Sequence, residues 1–328
     1  MKKIALEEHY LSPDLVQGFK DVFSYLGADA VDQGVKLMTD FDDQRLQTMD
    51  AAGVEFAVLS MPDPGVQRDT DTARAISMAK YTNDFLATQI QKRPDRYGGF
   101  AHLPMQDPSA AADELERCVR DLGFPGALID GHTLGHYLDE EMYYPFWERV
   151  VDLDVPIYLH PADPYQVPQN YNGREELRGS LWAWTAETAT HAMRMVLGGT
   201  FERYPKVRLI LGHMGEALPY LLWRLDSRYN ASPQAQDETT MPPSEYIKRN
   251  ILITTSGCFD GVPLQCAISA IGEDKIMFSV DYPFESSEDA AKFMDTVDIG
   301  REQREKIAHA NARRILRLSP ASASAASS

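Results

Sequence analysis

Short apolar runs rich in β-branched residues alternate with longer stretches of helical periodicity along nearly all of this 328-residue chain, and no other feature constrains its fold as tightly. The apolar runs number eight, at 3–9, 55–60, 97–103, 127–130, 156–160, 207–212, 251–255 and 275–281. Helical patterns fall between and after them, at 71–91, 108–122, 140–153, 187–201, 216–230 and 301–318. Strands alternating with helices predict a parallel sheet with right-handed crossovers. Eight such units favour a closed α/β (β/α)8 barrel of the TIM type over an open sheet. A Rossmann sheet would want GxGxxG directly after the first strand, where the chain reads Glu7-Glu8-His9 instead. No fixed-period repeat and no Pro/Gly/Ser-rich linker divides the chain, so residues 1–318 are expected to form one barrel domain. The closing "SPASASAASS", 319–328, is expected to be a disordered low-complexity tail.

Composition narrows the partners. Apolar residues make up 44% and charged residues 25%, which is ordinary globular usage. The net charge of −17 comes without any dense Lys/Arg block, so nucleic acid and anionic membrane surfaces are repelled. An anionic substrate would therefore need local positive charge from a metal or a placed arginine. Cys118, Cys258 and Cys266 have neither zinc-type nor scaffold spacing and suit a reducing compartment. The chain begins without a signal-type apolar core and has no stretch of membrane-spanning length, which points to the cytoplasm.

In a barrel of this kind, chemistry sits at the carboxyl ends of the strands. Strand one ends in Glu7-Glu8-His9, strand five ends "IYLHP" with His160, strand six runs into "LILGHMGE" with His213 and Glu216, and strand eight ends "FSVDYP" with Asp281. Side chains on a strand alternate faces, so Glu7 and His9 share a face and Glu8 takes the other. If the first face is inward, Glu7, His9, His160 and Asp281 form a mixed N/O set suited to one divalent ion, with room left for substrate. Mn²⁺ or Zn²⁺ fits these donors better than Mg²⁺, because imidazoles are poor Mg²⁺ ligands.

His213 and Glu216, three apart across a strand-to-helix turn, form a candidate dyad in which the carboxylate orients the imidazole; the alternative is an acid favoured in a first helical turn. His102, after strand three, and His132 and His136, in "GHTLGHY", are pocket-lining candidates or ordinary loop histidines. His191 and His309 fall inside helical patterns and are expected to be structural.

With these residues in place, the chain resembles the amidohydrolase superfamily, in particular its metal-dependent decarboxylase branch, which includes γ-resorcylate (2,6-dihydroxybenzoate) and 2,3-dihydroxybenzoate decarboxylases. The resemblance runs from "KIALEEHY" through "KRPDRYGGFAHLPMQDP", "DLDVPIYLHP", "ETATHAMRM", "LGHMGEALPY", "NILITTSG" and "FSVDYPFE" to "NARRILRL". Hydrolytic members begin with HxH on strand one, whereas Glu7-x-His9 is similar to the decarboxylase pattern. The resemblance implies the same barrel, the same ligands and the same strand-six pair, and a homodimer or homotetramer. It also implies that Arg224, in "LLWRLDSRYN", helps recognise the substrate anion, sometimes across a subunit contact; a surface ion pair with Asp226 is the plainer alternative. One departure stands out: resorcylate-type relatives carry Asn after strand four, where this chain has Asp130 in "GALIDGH". A carboxylate only accepts hydrogen bonds, so Asp130 should be protonated, be paired with His132 or another cation, or face a substrate hydroxyl.

The expected activity is non-oxidative, reversible decarboxylation of an ortho-hydroxybenzoate-type acid to a phenol and CO2, in the breakdown of aromatic compounds. Asp281 is the candidate proton donor to the ring carbon, and His213 with Glu216 would hold the substrate oxygen. The same ligands could serve a hydrolase of an ester, lactone or amide with Asp281 as base, and a non-catalytic ligand-binding barrel is the third possibility.

Overall fold

Eight parallel strands alternate with helices in the computed structural model, which describes residues 1–318; the expected tail lies outside the described residues. The strands are β1 (Lys3–His9), β2 (Val54–Ser60), β3 (Tyr97–Gly99), β4 (Ala127–Asp130), β5 (Ile157–His160), β6 (Leu209–Leu211), β7 (Ile251–Thr254) and β8 (Ile276–Met277). Laddered pairing runs β1-β2-β3 and β4-β5-β6-β7-β8. Two single bridges, Ala101 to Ala127 and Glu8 to Tyr282, close the seams into a barrel. At the second seam His9 N donates to Tyr282 O at 2.7 Å and Asp281 N to Glu7 O at 3.0 Å. The closure itself thus joins two candidate site strands.

Strands three and eight are shorter than the apolar runs suggest. β8 ladders only over Ile276–Met277 because the next three amides find partners outside the sheet. Phe278 N donates to Ile307 O at 2.9 Å, Ser279 N to Thr255 Oγ1 at 3.0 Å, and Val280 N to Glu8 Oε1 at 3.0 Å. The expected helix at 301–318 is likewise interrupted, with a wide π turn at Lys306–Ala310 between Arg301–Glu305 and Asn311–Ile315. The Ile307 carbonyl serves the Phe278 amide there, which is the kind of competing partner that loosens a helical ladder.

Helix starts follow local chemistry. Asp71 accepts from Arg74 N to begin Thr72–Lys92, and Asp107 accepts from Ser109 N and Ala110 N, with Pro108 at the first position, to begin Pro108–Arg120. The helix expected at 216–230 begins later, at Leu218. His213, Met214, Glu216 and Ala217 all have left-handed φ, so the chain turns tightly before the helix starts.

The core has two shells. Ala5, Ala57, Leu59, Ala127, Ile129, Leu159, Leu211 and Ile253 face the helices. Inside the barrel, Ile4, Leu6, Val58, Phe100, Leu128, Tyr158, Ile210, Leu252 and Met277 pack with Ala312, Ile315 and Leu316. The final helix thereby stoppers the amino end, and each buried aliphatic side chain contributes about 1.5–3 kcal/mol. Among the described residues, no helix is long and apolar enough to cross a membrane.

Two buried histidines pin loops to this frame. His102 Nε2 accepts from Val66 N at 2.8 Å, under Gly65, whose φ is +46° and where any Cβ would overlap the imidazole. His191 Nε2 accepts from Leu138 N at 2.9 Å. Burial lowers His102 to about 4 and His191 to about 3. Both folded values lie below the unfolded one, so below about pH 6.5 the unfolded chain binds more protons and stability falls with acidification. Between pH 7 and pH 5 each histidine should cost on the order of 2 kcal/mol of unfolding free energy. Urea denaturation should show that loss, and His102→Gln or His191→Gln, which keeps an acceptor without a titrating ring, should flatten it by about that amount.

Candidate metal centre

Strict alternation along β1 would defeat the site. Ile4 and Leu6 point into the barrel and Ala5 outward, so unbroken period two would send Glu8 inward and Glu7 and His9 away. A bulge reverses this: Ala5 pairs with Ala57 and Glu8 with Leu59, setting three steps of β1 against two of β2. The extra residue is accommodated by one hydroxyl, Ser279 Oγ, which accepts from both Leu6 N at 3.1 Å and Glu7 N at 2.6 Å. Beyond it Glu7 and His9 face inward. Glu8 turns outward, buried, with Oε1 accepting from Val280 N at 3.0 Å; burial raises it to about 8 against that bond and the charge of Arg45.

One donor atom from each of Glu7, His9, His160 and Asp281 lies within 4.8 Å of the others. His9 Nε2 is 3.1 Å from Asp281 Oδ1, and His160 Nε2 is 3.3 Å from Glu7 Oε1. Glu7 Oε1 is buried without a hydrogen-bonding partner. A bare carboxylate oxygen beside imidazole nitrogens is what an ion's ligands present, since buried charge needs a partner or a metal. The residues therefore fit a divalent ion.

Electrostatics agree. Burial lowers His160 despite the charge of Glu7, favouring the neutral imidazole that ligates. Burial also works against the charged forms of His9 and Asp281, but the hydrogen bond between them prevails for His9, which is raised. For Asp281, hydrogen bonds from His213 and His9 outweigh burial and hold the carboxyl well below its usual range. Asp281 also has φ +81°, a strained conformation of the kind concentrated at functional sites.

His213 stands beside this cluster, its Nε2 3.6 Å from Asp281 Oδ2 and 3.9 Å from Glu7 Oε1. Its Nδ1 donates to Glu216 Oε1 at 2.7 Å. Burial opposes a charged ring, yet Glu216 and Glu7 raise His213 well above its ordinary value. Two glycines make room: a Cβ on Gly212 would stand 2.8 Å from Glu7 Oε2, and one on Gly257, where φ is +58°, 2.9 Å from His213 Cδ2.

Asp130 ends β4 next to His160, with Oδ1 3.2 Å from His160 Nδ1. Burial raises it to about 8, against the charges of His9 and Arg68. Its expected partner His132 is engaged elsewhere, with Nε2 donating to Asp163 O at 3.1 Å. A cavity of about 510 Å³, lined by Asp63, Arg68, Asp163, Arg178 and Trp184, opens alongside; Trp184 is its link to the ligands, with its ring centroid 6.2 Å from that of His160.

Not every candidate joins the cluster. His102 is committed to the Val66 amide, His136 bonds Glu140 on the surface at 2.7 Å, and His132 lines a neighbouring pocket with Leu134 and Tyr165. Arg224 is exposed on Leu218–Tyr229; Asp226, its alternative partner, instead accepts from Ser244 N and Oγ at 2.9 and 2.7 Å. Several contributors escape the sequence reading. Tyr158 donates to Glu7 Oε2 and lies 2.8 Å from Thr254 Oγ1; its place two residues before His160 on the inward face was an available signal. Ser279 and Phe284, whose ring is 5.5 Å from that of His9, carry no pattern of their own.

A family model described as amidohydrolase matches residues 12–318. The chain is 42% identical to gamma-resorcylate decarboxylase of Rhizobium sp. (strain MTP-10005), over 96% of this chain and 98% of that protein. It superposes at a TM-score of 0.91 and 42% identity on 2,6-dihydroxybenzoate decarboxylase complexed with 2,6-dihydroxybenzoate, covering 97% of this chain and 100% of that one. Dihydroxybenzoic acid decarboxylase from Polaromonas sp. JS666, with bound manganese and the inhibitor 2-nitroresorcinol, gives 0.90 at 41% identity, covering 96% and 97%. Matched over nearly all of its length, with its polar strand ends gathered in one barrel mouth, the chain belongs to the amidohydrolase family.

Proposed function

We propose that the protein is a manganese-dependent carboxy-lyase that removes CO2 from an ortho-hydroxybenzoate such as 2,6-dihydroxybenzoate. The observation that carries this reading is the convergence of Glu7, His9, His160 and Asp281 within 4.8 Å, beside the His213–Glu216 pair, in a chain 42% identical to a gamma-resorcylate decarboxylase. A divalent ion, when bound, would be held by these four residues and would supply Lewis acidity toward the substrate's anionic oxygens. Phe284 and Trp184 offer aromatic walls on the two sides of the cluster. Asp281, ionised at rest, takes a proton from the cationic His213 and delivers it to the carboxylate-bearing ring carbon. The C–C bond then breaks, its electron pair restores the aromatic ring, and CO2 leaves. His213 Nε2, 3.6 Å from Asp281 Oδ2, is the source of that proton, and Glu216 keeps that ring aimed.

The reading extends to assembly and place. A single barrel domain over 1–318 acts in the cytoplasm as a homodimer or homotetramer. The helix carrying Arg224 supports a subunit contact: Tyr220 and Trp223 are 81% and 79% exposed, which is unusual for large aromatics outside an interface. Arg224 in that position supplies positive charge to the substrate anion, at its own site or across the contact.

Glu7→Gln should weaken Mn²⁺ binding at least 100-fold in calorimetry and abolish turnover, whereas Glu8→Gln should keep the metal, since an amide oxygen still accepts from Val280 N. The opposite pattern would refute the inward placement of Glu7. Asp281→Asn should retain substantial Mn²⁺ yet release CO2 from 2,6-dihydroxybenzoate at least 10²-fold more slowly. Chelation should abolish CO2 release and added Mn²⁺ should restore it. Native-rate turnover by fully metal-stripped protein would sink the scheme, and a new carboxylic acid product would mark a hydrolase. Trp223→Glu should shift the sedimentation coefficient toward monomer, and Arg224→Ala should raise KM about tenfold.

A further inference from the structure

Asp130 and His160 are direct partners in the ladder between β4 and β5. Leu128 and Tyr158, two residues before each, belong to the inner shell, so alternation sends Asp130 and His160 inward side by side. Asp130 Oδ1 is 3.2 Å from His160 Nδ1. Both Asp130 oxygens and this nitrogen are buried, and none of the three makes an aligned hydrogen bond. Groups so buried are almost always paired, and at 3.2 Å the two stand within the span of a hydrogen bond that a small rotation of the ring aligns.

The strand end is held firmly around them. Gln67 Oε1 accepts from Asp130 N at 2.7 Å, while Gln67 Nε2 donates to Asp130 O at 3.3 Å and to Thr133 Oγ1 at 2.9 Å. Gly131 follows with φ +57°, so close to the next strand's exit that a Cβ would stand 2.7 Å from Ala162 Cβ. Both backbone polar groups of Asp130 are thereby engaged, and its carboxyl is presented to the imidazole. On the far side of that ring, Nε2 faces Glu7 Oε1 at 3.3 Å.

We infer that Asp130 is a positioning residue for His160: a carboxyl oxygen accepts the Nδ1–H, which fixes the tautomer and ring plane that leave Nε2 free for the metal. A ligating histidine generally gives its second N–H to such an acceptor, and loss of the acceptor typically costs 10–100-fold in metal affinity. Asp130 then acts on the substrate only through His160. This deepens the proposed function and rests on His160 being a ligand. It requires only an acceptor oxygen, so an asparagine, accepting through Oδ1, serves equally well.

Calorimetric titration with Mn²⁺ separates this role from direct substrate contact. Asp130→Ala should raise the Mn²⁺ dissociation constant 10–100-fold, with KM for 2,6-dihydroxybenzoate at saturating Mn²⁺ within about twofold of the parent. Asp130→Asn, which preserves shape and therefore folding, should keep both the Mn²⁺ dissociation constant and KM within about threefold. Unchanged Mn²⁺ affinity with a raised KM, in either variant, would make Asp130 a substrate contact and overturn the inference. Parent protein that takes up no Mn²⁺ would overturn the metal reading and this inference together, whereas unchanged affinity in the alanine variant of a Mn²⁺-binding parent defeats this inference alone.

Discussion

The site depends on one hydroxyl. Ser279 Oγ accepts from two consecutive amides of β1 and so stabilises the bulge that turns Glu7 and His9 into the barrel. Remove the bulge and the same strand would offer Glu8 to the interior, with no imidazole beside it. Ser279 lies where the eighth strand leaves its ladder, so the short β8 and the bulged β1 are two sides of one arrangement. Irregularity in one strand supplies the acceptor that irregularity in its neighbour requires.

Much of this was legible in the sequence. The eight strand positions, the parallel order and the acid or imidazole ending strands one, five, six and eight all follow from period and chemistry. They are local properties, fixed within a few residues of themselves. Whether Glu7 faced inward was not legible, because alternation counted from Ile4 gives the wrong answer and the correction comes from Ser279, 272 residues away. The same holds for β8, whose apolar run reads as a full strand until Ile307, Thr255 and Glu8 claim its amides. Left-handed φ at His213 and Met214 left no trace in residue type, since neither is a glycine. His102 looked like a site residue from its position alone, and only the Val66 amide and Gly65 above it reveal an anchor.

The acidic character of the chain also acquires a local meaning. Glu7, Asp130, Asp281 and Glu216 crowd three imidazoles and reach one another's fields in a buried pocket. Such a collection would be costly as a stability device. It becomes favourable once a dication shares the site, so the overall negative charge and the binding of an anionic substrate are compatible: the pocket's acids attract the metal, and the metal attracts the acid to be cleaved.

The helix that stoppers the amino end has a consequence for traffic. With Ile315 and Leu316 packed beneath Leu128 and Tyr158, the barrel is closed at its amino end, so exchange with solvent falls to the other end. Arrival and departure share that end, where Trp184 borders one opening and His213 another.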